Sequence, residues 1–296
     1  MEVFSSTFEY NTATDGGIMS IQLTSTLTEN SFMRMSQNDF FYSNASDAGG
    51  IAVISHSMLD VQFDNNDYEE NNGYVGGIFY IADCGTLRLM EEEFQGNNGE
   101  FGRIVYSIAA GLAFSISDTL VEWEDFNYTL YEEYIANNTQ NSSSSFYFTG
   151  SGTTIESIKN TFTNNNLAKK GGVFYLNNVN FTDYGSKFFN NSALLGGAIT
   201  CQECVIDLDG SIFELNYGKY GGALYLESEA KLTMHDAEFR YNNAYSSGGC
   251  VFITTRSHFY IYDSIFEYNT ADSESAISAL MTSDTYPFEI SNVAFQ

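Results

Sequence analysis

The sequence predicts an all-β chain wound into a single-stranded parallel β-helix with one coil per 25 or so residues. Three observations predict it. A short phrase recurs at that period, apolar residues alternate within each phrase, and glycine pairs stand at a nearly fixed place in it.

The phrase is Phe-x-x-Asn. It begins at Phe8, Phe41, Phe63, Phe94, Phe162, Phe188, Phe213, Phe239 and Phe266, and its asparagines are Asn11, Asn44, Asn66, Asn97, Asn165, Asn191, Asn216, Asn242 and Asn269. Tyr134-Ile135-Ala136-Asn137 is a weaker copy, and Phe295 stands where another would begin. From Phe162 onward the spacings are 26, 25, 26, 27 and 29 residues. Of seven Gly-Gly pairs, six follow the Phe by eight or nine residues, and a longer link precedes Gly76-Gly77.

After Gly-Gly the alternation has the period of a strand, as in Phe79/Ile81, Phe174/Leu176 and Leu224/Leu226. A second alternating pair precedes each Phe, as in Leu87/Leu89 and Ile206/Leu208. Each repeat thus holds two clear short strands, the Phe-x-x-Asn segment adds a third, and no helix of ordinary length fits between. The Gly-Gly pair is expected to turn a corner where a Cβ would clash. Phe is expected to stack on Phe inside, and Asn on Asn at a corner with hydrogen-bonded amides. About ten coils at about 4.8 Å each span roughly 50 Å.

Phe-x-x-Asn joined to Gly-Gly-Ala-Ile, as from Phe188 to Ile199, resembles the polymorphic outer-membrane protein repeat of chlamydial passenger domains and large protist surface proteins. The resemblance covers nearly the whole chain. It implies a right-handed, pectin-lyase-like parallel β-helix with surface or adhesive roles. Residues 1–296 then form one continuous β-helix, a segment of a longer protein. Residues 99–157 read as degenerate coils with an insertion, "SDTLVEWEDFNYTLYEEY"; Gly102-Arg103 and Ser143-Ser144 stand at the Gly-Gly position.

Composition narrows the partners. Thirty-eight acids against 11 bases give a net charge of -27. That field repels nucleic acid, anionic lipid and acidic polysaccharide, and attracts cations or basic partners. No apolar run reaches the length of a membrane span, so no direct membrane insertion is expected. The opening "MEVFSSTFEY" lacks the basic and apolar regions of a leader. A targeting signal for an extracellular or cell-surface address would therefore lie outside this stretch. Six sequons, at Asn44, Asn127, Asn137, Asn141, Asn180 and Asn190, permit a secretory route and N-glycosylation.

No catalytic constellation emerges. Acid clusters such as Glu91-Glu92-Glu93, Glu69-Glu70 and Asp60/Asp64 read as solvated faces in a chain this acidic. His56, His235 and His258 carry no metal-ligand spacing, although the last two lie about one coil apart. Cys201-Gln202-Glu203-Cys204 follows a strand without the remaining ligands of a zinc site. Cys84 and Cys250 lie coils away from it. At about 4.8 Å per coil only Cys201–Cys204 falls within the reach of a disulfide.

The expected function is a structural or adhesive segment of a large extracellular β-helix protein. No cofactor is assigned; the acidic balance leaves calcium as a weak alternative and, with it, a cation-binding matrix role. The runner-up is a carbohydrate-active enzyme or carbohydrate-binding module, with Tyr80, Tyr175, Tyr225 and Phe252 as an outward aromatic stripe. Neither end reads as a cap. The expected partners are therefore other copies or adjoining β-helix segments through open ends, together with surface glycans or proteins.

Overall fold

The computed structural model describes residues 1–22, 31–109, 111–122, 144–166, 168–254, 256–280 and 287–296. Among the described residues there is no helix, and every strand pairing is parallel, each strand bonding to its counterpart one coil away. The chain is a β-solenoid of stacked coils.

One coil shows the pattern. Val205–Asp209 lies on a long face and Ile212–Glu214 on a narrow face. Tyr217–Tyr220 lies on a third face, Gly221-Gly222 turns the corner, and Leu224–Glu227 returns to the long face. This coil thus carries four strand segments, one more than the alternation predicts. Two long-face segments fuse in Ala52–Asp64, Phe79–Met90, Phe146–Ile158 and Phe174–Tyr184. Among the described residues the long face counts 17 strands and the narrow face 11. The described third face falls into blocks of four and five strands, Asn98–Phe101 ending one block and Ala168–Lys170 beginning the next.

The three-residue narrow strands are set off by single left-handed residues. In one coil these are Gly210 (φ 66) and Leu215 (φ 57); in the next, Asp236 (φ 51) and Tyr241 (φ 55). Each bends the chain sharply, and the residue after it points its side chain into a corner. At Gly-Gly the two glycines differ in task. Gly196 takes φ 59, while a Cβ on Gly197 would lie 2.1 Å from the Gly222 carbonyl oxygen of the next coil.

Inside the narrow face runs a column of stacked rings. Phe162, Phe188, Phe213, Phe239, Phe266 and Phe295 follow one another with centroids 4.5–5.2 Å apart. Toward the other end the column reads Phe8, Phe40, Tyr68 and Phe94. Two expected members are therefore displaced. Phe41 aligns with Glu9 and Glu69 and points outward, because its neighbour Phe40 takes the inward position. Phe63 is buried, but on the long face, in register with Met35 and Leu89. Tyr68 holds its slot and stands eight residues before Gly76, the offset of the other repeats. In the degenerate region the strand register pairs Val121 with Phe94 and Phe162. Leu120–Glu122 is thus a regular strand although it belongs to the expected insertion, and Tyr134–Asn137 lies outside the described residues.

The asparagine ladder shifts with the rings. Asn191 donates its backbone N–H and its Nδ2 to Asn216 Oδ1, both at 3.1 Å, and Nδ2 also to the Phe162 carbonyl at 3.0 Å. Asn216 and Asn242 repeat the set toward Asn242 and Asn269. Near the start the ladder runs Asn11, Ser43, Asn71 and Asn97. Asn44 is exposed on the third face, aligned with Thr12 and Asn72. Asn66 is buried in a second ladder at the opposite corner, between Asn38 and Glu92. That second ladder continues through Thr119, Asn160 and Ser186.

Adjacent phenylalanines at 40 and 41 allow a direct test of the register. Phe40→Ala should cost about 3–5 kcal/mol, and Phe41→Ala less than about 1 kcal/mol. Urea denaturation of both variants measures the difference; equal losses would mean that the register is wrong.

Candidate functional site

Three features of the molecule bear on chemistry: an outer aromatic strip, a cleft on the long face, and two carboxyls inside the stack.

The strip runs along the corner that follows Gly-Gly. Pairing places Tyr80, Tyr106, Tyr147, Tyr175, Thr200, Tyr225 and Phe252 in one outward column. Tyr106 and Tyr147 are additions to the expected stripe. They follow Arg103 and Ser144 by the same three residues that separate Gly172 from Tyr175, a clue available in the sequence. Centroids lie 5.8 Å apart for Tyr80–Tyr106, 4.8 Å for Tyr106–Tyr147 and 4.7 Å for Tyr147–Tyr175. Tyr225 and Phe252 are parallel within 1°. The rings therefore spend their faces on one another and turn their edges outward. A sugar-binding platform needs open faces, so this column acts as a cross-coil stack. At Thr200 the stack breaks. There Lys170 Nζ lies 5.2 Å from the Tyr175 centroid and reaches Glu227 Oε1 at 2.6 Å, spanning the missing ring. Burial pushes the Tyr175 and Tyr225 hydroxyls up to about 12.

The cleft, of about 410 Å³, lies on the outer long face. Small side chains at Ala113 and Ser115 form its floor, and Arg88, Glu156, Asn180 and Tyr184 stand around them. Arg88 and Glu156 are two coils apart in one column, with Ser115 between them. The arrangement offers a cation, an anion, an amide and hydroxyls to a polar ligand. It places no second carboxylate opposite Glu156 among the described lining residues.

The buried acids were not foreseen. Glu92, read from sequence as part of a solvated acid run, is 2% exposed. It occupies an inward corner position, where Asn66 Nδ2 donates to both carboxylate oxygens at 3.1 and 3.2 Å. The Tyr68 hydroxyl lies beside it without reaching hydrogen-bond geometry. Burial holds Glu92 well above the ordinary 4.5; the Asn66 hydrogen bonds offset part of the rise. Asp183 sits inside the long face between Ser157 and Leu208. Its Oδ2 accepts from the Ser186 N–H at 3.2 Å and from Ser211 Oγ, while Oδ1 has no hydrogen-bond partner among the described residues. Burial raises it too, against the pull of the Ser157, Ser186 and Ser211 hydroxyls around it.

On the outer narrow face Asp39, Asp67 and Glu93 align in consecutive coils. Burial, then the charge of Asp39, raises Asp67. Among the described residues no group of three or more His, Cys, Asp or Glu side chains converges on a metal position. His235 stacks on Tyr262 at 4.7 Å, and His258 pairs with Lys231 at the other end of the same strands, so the two histidines are not neighbours.

Cys201 and Cys204 form a disulfide with Cα atoms 5.7 Å apart, and Cys84 and Cys250 are buried thiols. Burial pushes Cys84 up to about 12 and raises Cys250 well above the ordinary thiol range. Of the sequons, Asn44 and Asn180 are exposed, and Asn190 Nδ2 donates to Asn164 Oδ1 at 2.7 Å. Asn127, Asn137 and Asn141 lie outside the described residues.

No family model matches the chain, and no curated protein matches it in a sequence search.

Two measurements follow from the buried groups. A carboxyl whose pKa is higher folded than unfolded takes up a proton on folding. Its contribution is most favourable below the unfolded value, and stability is lost as pH rises through the folded value. Glu92→Gln keeps an acceptor for Asn66 and removes the charge. It should raise stability at pH 7 by about 1–2 kcal/mol, with the gain fading toward acid pH. Urea melts of both proteins across pH read this, and a constant difference would rule it out. In the native protein, iodoacetamide should leave Cys84 and Cys250 unmodified and should label them after unfolding. Rapid native labelling would place either thiol at the surface.

Proposed function

We propose that this chain is a structural or adhesive segment of an extracellular or cell-surface β-helix protein, right-handed and pectin-lyase-like, built from polymorphic outer-membrane protein-type repeats. The observation that carries the reading is how the side chains are used. The inward columns, both corner ladders and the outer aromatic strip spend their groups on the next coil, as a scaffold requires. The phrase Phe-x-x-Asn with Gly-Gly-Ala-Ile supports the family reading, and the exposed sequons Asn44 and Asn180 accord with a secretory route. The Cys201–Cys204 disulfide accords with an oxidising compartment.

The cleft at Arg88 and Glu156 favours a second reading, a carbohydrate-binding or carbohydrate-active module. A panel of neutral and acidic polysaccharides, incubated with the chain with and without calcium, separates the two. The scaffold reading expects no release of reducing ends and no unsaturated product. Sustained turnover that disappears in Glu156→Gln would replace it with the enzymatic reading.

A further inference from the structure

We propose that the cleft on the outer long face is a binding site for a small zwitterion, an amino alcohol joined to a phosphodiester. Arg88 takes the phosphate, and Glu156 and Tyr184 take the ammonium. The assignment stands whether or not the chain is a scaffold, and it competes with the carbohydrate reading for the same cleft.

One end of the cleft holds a cation that the fold does not use. Four of the five arginines spend their guanidinium inside the molecule: Arg34 on Asp64, Arg240 on Glu238 and Glu267, Arg256 on Glu229, and Arg103 on the Asn166 carbonyl. The guanidinium of Arg88 has no hydrogen-bond or ion-pair partner among the described residues, and the residue is exposed. Its column explains this, because Gln62 stands on one side of it and Ser115 on the other. In a chain of net charge -27, an arginine left without a carboxylate is a ready contact for an oxyanion.

The other end holds an anion and an open ring. Glu156 is exposed between Ser115 and Thr182 in the same column, again without an ion-pair partner among the described residues. Tyr184, on the next coil, is 43% exposed. Its column neighbours are Ile158 and Asp209, so no ring stacks on it among the described residues. The tyrosines of the outer strip cover one another's faces, whereas Tyr184 keeps its own. An open aromatic face flanked by carboxylates attracts an alkylammonium.

The spacing selects the ligand. Arg88 lies two rungs from Glu156 and three from Tyr184, roughly 10 and 14 Å along the stack. Ala113 and Ser115 keep the floor between them low, and the Ser115 hydroxyl stands midway as donor and acceptor. An α-amino acid carries its two charges on neighbouring groups and is too short to meet both ends. An amino-alcohol phosphodiester sets them apart by an ester oxygen and two carbons, and the arginine side chain closes the rest. Its net charge is zero, so the acidic field of the chain does not repel it as it repels an anionic polymer.

The test is an NMR titration of the full chain with glycerophosphocholine. The chain is produced in a host that adds no N-glycan, because Asn180 on the cleft wall is a sequon. Saturable one-site binding is expected, weakening as salt is added. Choline alone and dimethyl phosphate alone each reach one end, and should bind at least about tenfold more weakly. Arg88→Gln should weaken glycerophosphocholine about fivefold and leave choline unchanged, whereas Tyr184→Leu should weaken both about fivefold. Both side chains point outward, so circular dichroism should match the parent. Flotation with phosphatidylcholine vesicles separates the sources: co-flotation assigns the lipid headgroup, and binding of the free diester without co-flotation assigns a soluble or glycan-borne one. The proposal is overturned by no saturation at about 10 mM glycerophosphocholine, by equal losses of choline and diester in Arg88→Gln, or by a neutral oligosaccharide that binds the cleft more tightly than the diester.

Discussion

Everything in this molecule depends on one constraint, the backbone hydrogen bonds that join each coil to the next. They hold successive coils one strand spacing apart and in parallel register. A side chain then meets its structural equivalent directly above and below, so each column must be good company for itself. Phenyl rings satisfy this by stacking at 4.5–5.2 Å. Carboxamides satisfy it because one amide both donates and accepts. Carboxylates do not, and inside the stack they appear singly, as Glu92 and Asp183, with neutral donors around them.

The same constraint explains how the corners are built. A left-handed residue on each side of the narrow strand turns the chain, at a cost per residue that Asn and Gly keep low. The next residue then fills the corner with an amide or hydroxyl that satisfies backbone groups of two neighbouring coils at once. Where Gly-Gly gives way to Gly102-Arg103 the stack continues, and Arg103 Nη2 donates to the Asn166 carbonyl, from beside one described block of the third face to beside the next.

Surfaces in this architecture follow from columns as well. An outward ring that stacks on its neighbours has no face left for a ligand, so aromatic content alone is a poor guide to binding. Binding potential lies where a column is broken, as at the small residues Ala113 and Ser115.

The sequence by itself determined the solenoid, because period, alternation and Gly-Gly placement are local patterns that any register of the stack preserves. It also determined the ring and amide columns from Phe162 onward, where the spacing is regular. Only the tertiary structure decided between Phe40 and Phe41, and between Phe63 and Tyr68. Both members of the first pair fit an aromatic slot, and strand alternation assigns inside and outside only once the neighbouring coils are in register. It also decided that Glu92 is inside: an acid run shows no period of its own, and only the left-handed turn at Glu91 sends the next side chain into the corner. Finally, stacking alone showed that the tyrosine strip turns edges rather than faces to solvent, since ring orientation is set by the coil above and has no trace in the chain.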